Sequence, residues 1–263
     1  ASSPAASTGW QHCLACVPSW RSAPAQERWW SRFDIDAWRP RSSCRVHALS
    51  DLHFDDPAVE HWVHNIDEAA FQADVLLLAG NVCKTRNTLF RAFSVLLRKF
   101  RRIFWVPGGH ELTLHPSEAG DYPDSLAKLF DLFSMCDALG VDFFPAEVAE
   151  GVFVVPLFSW HDAACDEEDP PLPRPDQGGH CRWPMDAPTE ASRYMLALNR
   201  EFAKRAYRGT VMTFSHHLPR RDLPSARRDG NAKLVACEAL DQQVRGVRSC
   251  VHFYGQSQRS GVK

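Results

Sequence analysis

No stretch of the 263-residue chain approaches the roughly 20 consecutive apolar residues that cross a bilayer; the apolar run in "DVLLLAG" is strand-sized. Neither charge sign is in excess. Thirty Lys and Arg face 32 Asp and Glu, a net charge of −2, which excludes a broad electrostatic attraction to nucleic acid or to an anionic membrane. A disulfide framework is also missing. The nine cysteines are odd in number and scattered, so they read as reduced thiols of an intracellular, reducing compartment. Cys13 and Cys16 form a C-x-x-C after His12, but no second C-x-x-C completes a zinc site.

Residues 1–43 form an irregular N-terminal arm. Its start, "ASSPAASTG", lacks acidic residues and fits either the trimmed end of an organelle precursor (chloroplast or mitochondrion) or a plain polar terminus, the simpler reading. The rest carries Trp10, Trp20, Trp29, Trp30 and Trp38. So much aromatic surface is costly in water. It implies packing on the domain itself or docking to a protein partner.

From residue 45 onward apolar strands alternate with helical patterns, the signature of an α/β architecture over residues 44–263. "RVHALS", "ADVLLLAG", "RRIFWVPGG", "GTVMTFSHHLP" and "SCVHFYGQSQ" read as strands. "VDFFPAEVAEGVFVVPLFSWH" reads as two strands about a turn at "EG". Helical spacing runs through "PAVEHWVHNIDEAAF", "NTLFRAFSVLLRKF", "SLAKLFDLFSMCDALG", "TEASRYMLALNREFAKRAY" and "AKLVACEALDQQV". Residues 162–190, rich in Pro, Asp and Gly, read as a long surface loop.

Ligand sites in open α/β proteins lie beyond the carboxyl ends of strands, and polar residues collect there. The first strand delivers Asp51 and His53, the second Gly80 and Asn81, the third Gly108, Gly109, His110 and Glu111. Later strands deliver Ser159, Trp160 and His161, then His216 and His217, then Gln256 and Gln258. One His at a strand end is usually just a hydrogen-bonded surface residue. Convergence of five or more such ends points to a site that holds a metal or moves a proton.

The order "SDLHFD", "LLAGNV", "VPGGHEL", "FSHHLP", "FYGQSQ" resembles the calcineurin-like metallophosphoesterase family. Its pattern is D-x-H, G-D, G-N-H-[DE], a lone His and G-H-x-H, each at a strand end, and the match covers residues 45–258. "DSLAKL", "VPLFSWH", "HCRWP" and "FSHHLPR" look like a plant and algal subgroup. The resemblance implies a calcineurin-like phosphoesterase fold, a central β-sandwich flanked by helices. Family members typically continue past the last motif, which leaves open whether the second sheet is complete.

The resemblance further implies two metal ions that bind a phosphate ester and acidify a bridging water. Carried over by position, Asp51 and His53 match ligands of the first metal, His216 a ligand of the second, and His110 the catalytic His. The bridging Asp is replaced by Asn81 and an Asn ligand by Gly109. Gln256 and Gln258 stand where one His per metal is expected. A carboxamide adds no negative charge, glycine adds no ligand, and Gln replaces imidazole poorly. The expected cofactor is therefore none, or a single weakly bound Mn, Mg or Zn on Asp51, His53 and His216, with Asp55 or Asn81 as a further ligand. Three readings follow: a pseudo-enzyme acting as a structural or binding subunit of an assembly, a weak one-metal phosphatase or phosphodiesterase, and a sensor of a phosphate-containing ligand.

Overall fold

The computed structural model describes residues 43–161, 181–185, 188–220, 223 and 236–255. The aromatic arm with its C-x-x-C, most of the expected 162–190 loop, and Gln256 and Gln258 lie outside these residues.

Two sheets form. The first has order β1-β2-β3, from Val46–Leu49, Val75–Ala79 and Arg102–Val106, all parallel. The second has order β4-β5-β6-β7, from Ala146–Ala149, Val152–Pro156, Thr210–Ser215 and Val251–Tyr254. Only the β4–β5 pair is antiparallel, turning at Glu150 and Gly151. Every residue of β2 is buried, as its unbroken apolar run requires of a central parallel strand. β2 packs over β6 and β3 over β5, making the expected sandwich. Its core includes Trp105, Phe104, Phe133, Phe143 and Phe158, with Phe133 and Phe143 stacked at 4.6 Å.

Helices cover the sheets: α1 (Pro57–Asn65), α2 (Arg86–Leu96), a short α3 (Gly109–Leu112), α4 (Ser125–Leu139), α5 (Pro188–Leu198), α6 (Arg200–Lys204) and α7 (Ala239–Gly246). Local chemistry sets their ends. Asp56, Thr85 and Asp124 accept backbone N–H groups at the starts of α1, α2 and α4. Gly140, at φ 79°, closes α4 in the left-handed conformation.

Two helices are shorter than their apolar spacing suggests. The pattern from Pro57 to Phe71 continues, but α1 stops at Asn65. Lys99, 1% exposed, donates from Nζ to the His64 and Ile66 carbonyls at 3.0 and 2.6 Å and closes the helix there. The pattern from Thr189 to Tyr207 is split at Asn199 into α5 and α6. The buried Asn199 side chain accepts from Phe158 N, donates to Phe158 O and to Gln243 Oε1, each at 2.8 Å, and so is committed to the segment after β5 and to α7. A tertiary bond overrides helical periodicity at both places, and neither is visible in a local window.

Candidate active site

The parallel strands of both sheets end on the same side. After β1 come Ser50, Asp51 and His53; after β2, Gly80 and Asn81; after β3, Gly108 to Glu111; after β6, His216 and His217; after β7, Gly255. These ends are packed tightly. A methyl group on Gly80 would lie 2.6 Å from His216 Nδ1, and one on Gly108 2.5 Å from Asn81 Oδ1 and 2.9 Å from His216 Nε2. One on Gly255 would collide with Ser50 Oγ. Glycine at these positions lets loops from the two sheets meet.

The loops after β1 and β2 continue the sheet ladder: Asp51 N donates to Gly80 O at 3.0 Å, His53 N to Asn81 O at 3.1 Å and Phe54 N to Val82 O at 2.6 Å. Asp51, His53 and Asn81 all have left-handed backbones, with φ of 53°, 50° and 54°. Non-glycine residues reach that region at a cost of about 1 kcal/mol each and concentrate at functional sites. The three coincide with positions to which the family resemblance assigns ligands.

Asp51 and Asn81 are in direct contact. Asn81 Nδ2 donates to Asp51 Oδ1 at 2.9 Å, and Asn81 Oδ1 accepts from His110 N at 3.0 Å. These two partners fix the orientation of the amide. Ser50 Oγ donates to Asp51 Oδ2 at 2.6 Å. The His53 and His110 rings lie 4.8 Å apart. Burial pushes the His110 imidazole down to about 4, with His53, Lys84 and His216 acting in the same direction and Asp51 opposing. His110 is therefore neutral at pH 7 and holds a proton to donate on only one ring nitrogen.

His216 is wholly buried. Its Nδ1 lies 2.7 Å from the Ala79 carbonyl, which makes Nδ1 the protonated nitrogen and leaves Nε2 as an acceptor with no partner among the described residues. His217 turns elsewhere. Its Nδ1 is 3.2 Å from Ser159 Oγ, and burial holds its imidazole well below the usual range. His161 packs on Trp160 and His217. Asp55 accepts from Lys84 N at 3.1 Å. Gly109 opens α3, and its carbonyl accepts from Thr113 and from the Cys181 thiol.

Glu111 organises the site from beneath. Its carboxylate, 1% exposed, accepts from Asn81 N (3.0 Å), Val82 N (2.5 Å), Cys83 N (3.4 Å) and Gly108 N (2.8 Å). Burial pushes its pKa above the ordinary carboxylate range and the N–H groups oppose this. All four partners are donors, so the ionised form is the one the geometry accommodates. The sequence placed Glu111 at a strand end without this role. Its signal was the acidic residue directly after His110.

No family model matches the chain. Over 126 residues it is 29% identical to the acyl-carrier-protein phosphodiesterase PptH of Mycobacterium tuberculosis (strain ATCC 25618 / H37Rv). That match spans 44% of this chain and only 37% of the length of that protein. The crystal structure of the phosphopantetheinyl hydrolase PptH from Mycobacterium tuberculosis superposes with a TM-score of 0.70 at 19% identity, covering 84% of this chain and 86% of that one. The chain has the metallophosphoesterase-type fold. The protein TT1561 of Thermus thermophilus superposes at a TM-score of 0.45 and 14% identity, too distant to carry an argument.

The described residues do not fit the two-metal centre that the family resemblance implies. Among the described residues, no group of three or more His, Cys, Asp and Glu side chains is arranged to hold a metal ion. Asn81 turns its donor, not a lone pair, toward Asp51. Position 109 offers only backbone.

Proposed function

We propose that this chain is a phosphoesterase-fold protein whose two-metal site is degraded, and that it serves as a non-catalytic structural or binding subunit of a larger assembly. The observation that carries this reading is the loss of two ligand positions among the described residues, beside the kept Asp51, His53, His110 and His216: a carboxamide at 81 bonded to Asp51, and glycine at 109. A bridging carboxylate holds two dications together by charge, and a neutral amide cannot. The aromatic arm of residues 1–43 supplies the docking element, in an organelle or another reducing compartment. Deleting residues 1–40 should abolish assembly and leave the domain folded; a domain that unfolds would make the arm part of its core.

A second reading is favoured by His216. Its Nδ1 is committed to a carbonyl and its Nε2 has no partner among the described residues, the tautomer that a metal-binding imidazole uses. A single Mn, Mg or Zn held by Asp51, His53 and His216, with Asp55 or Asn81 as a further ligand, would polarise a phosphoryl oxygen, with His110 as the acid. Loss of the bridging charge should leave turnover weak, by several kcal/mol of transition-state stabilisation, about 3 or more.

Hydrolysis assays separate the two readings. Substrates are p-nitrophenyl phosphate, its bis-ester and a phosphopantetheinylated acyl carrier protein, the last taken from the name of the mycobacterial relative. Each is tested with MnCl2 and with EDTA, on the native chain and on the variant Asn81→Asp, Gly109→Asn, Gln256→His, Gln258→His. A silent native chain beside an active variant supports the subunit reading. Metal-dependent turnover by the native chain, abolished by His53→Ala, supports the one-metal hydrolase. Thermal stabilisation by inorganic phosphate without turnover would identify a phosphate-ligand sensor.

A further inference from the structure

We propose that the Asn81 carboxamide takes over the structural work of a cation, so that the strand-end loops of this site hold together without metal. The inference rests on the reading that no two-metal centre forms, not on the absence of turnover.

Asp51 and the side chain at position 81 approach to 2.9 Å between polar atoms. Two carboxylates at that separation repel, and only a cation or a shared proton between them relieves it. An amide removes the conflict from within. Its NH2 donates to Asp51 Oδ1, and its carbonyl keeps the acceptor role toward His110 N at 3.0 Å, which an Asp oxygen would also fill. Ser50 Oγ supplies a second donor to Asp51, at Oδ2. The backbone around Asn81 needs no change for this. Its N–H is held by Glu111 Oε2 and its carbonyl by His53 N. Asn and Asp have the same shape, so the exchange converts a site that requires a cation into one that is satisfied in its absence. Asn81 is 8% exposed, and charge there is poorly screened by water.

Melting curves of the full chain test this, because they do not depend on turnover. The native protein should melt at the same temperature in EDTA and in MnCl2. Asn81→Asp in EDTA should melt lower by about 5 °C, the shift expected for losing one buried charge-assisted hydrogen bond and gaining a repulsion. MnCl2 should raise the variant and leave the native chain unmoved. The exchange variant Asp51→Asn with Asn81→Asp moves the amide across the same gap, and it should recover the native melting temperature in EDTA. It also decides the matter if Asn81→Asp alone does not fold. A native chain destabilised by EDTA or stabilised by MnCl2 would overturn the proposal. So would Asn81→Asp melting like the native chain in EDTA, or an exchange variant that recovers nothing. Metal-dependent hydrolysis by a native chain whose melting ignores MnCl2 would overturn the function proposed above and leave this inference standing.

Discussion

Replacing Glu111 with Gln should destabilise the domain more than a change of one atom suggests. Three backbone donors, from Asn81, Val82 and Gly108, lie within 3.0 Å of the carboxylate, and Cys83 N makes a weaker fourth contact. Hydrogen bonds to a charged acceptor contribute roughly 1.5–3 kcal/mol each, and a buried donor left unpaired costs about 1–3 kcal/mol. Gln keeps one oxygen and points its NH2 at donors that need an acceptor. At least two N–H groups then lose their partner, while burial of an ion, itself a cost of several kcal/mol, about 2–5, is relieved. The balance is a loss of about 3 kcal/mol, equivalent to roughly 6–12 °C in a domain of this size.

Urea denaturation at pH 7 measures this directly, with the slope m unchanged if only stability moves. Glu111→Ala should lose about 4 kcal/mol, since it abandons every donor and leaves a cavity. Amide exchange at Asn81 and Gly108 should accelerate in both variants, and exchange in β5 and β6 should follow global stability alone. A Glu111→Gln variant within about 0.5 kcal/mol of the native chain would refute the reasoning, because four donors around one carboxylate would then contribute nothing net.

Lys128→Met should cost about 3–5 kcal/mol by urea denaturation. The buried Lys128 Nζ serves Lys84 O, Thr113 O and Glu118 Oε2 at 2.7–2.8 Å, and its loss strands the Glu118 charge. Adding Glu118→Gln should recover part of that loss, the coupling expected of a buried pair. Gly108→Ala should lose more than about 2 kcal/mol, because the new methyl group meets Asn81 N at 2.6 Å and Asn81 Oδ1 at 2.5 Å; its urea midpoint reports it. Acid should weaken the fold partly through His252, which burial holds at about 4. A lowered imidazole value means the unfolded chain binds the proton first, so this contribution is full above about pH 6.5 and falls away toward pH 4. His252→Gln should flatten the decline of the urea midpoint between pH 7 and pH 5.

The alternation of strands and helices was legible because burial imposes it. β2 is apolar throughout and wholly buried, and Gly140 ends α4 where a left-handed residue is needed. Asp51, Asn81, His110 and His216 were legible as a group because parallel strands deliver their ends to one side of the sandwich. Other features depend on partners distant in sequence. The closure of α1 comes from Lys99, 33 residues beyond Ile66, and the break after α5 from Phe158, 41 residues before Asn199. Hydrophobic period carries no trace of either. His216 and His217 are neighbours in sequence and look equivalent there. Their roles diverge because one ring meets Ala79 O and the other Ser159 Oγ.

On the function proposed above, a site that no longer holds two metals would be expected to relax, yet Asp51, His53 and Asn81 have left-handed backbones that together cost about 3 kcal/mol. The scaffold explains why. The ladder bonds from Asp51, His53 and Phe54 lock the loop after β1 to the loop after β2. Glu111 then ties Asn81, Val82 and Cys83 to Gly108. Phe54, 1% exposed, anchors the first loop from below. None of these bonds uses a ligand side chain. The backbone course of these loops is therefore set by main-chain bonds and one buried carboxylate, and the Asn81 side chain adds the bonds to Asp51 and His110. On the function proposed above, this framework would let the fold do without a bridging charge at position 81 and a ligand at position 109 while Asp51, Asn81 and His110 stay joined by hydrogen bonds.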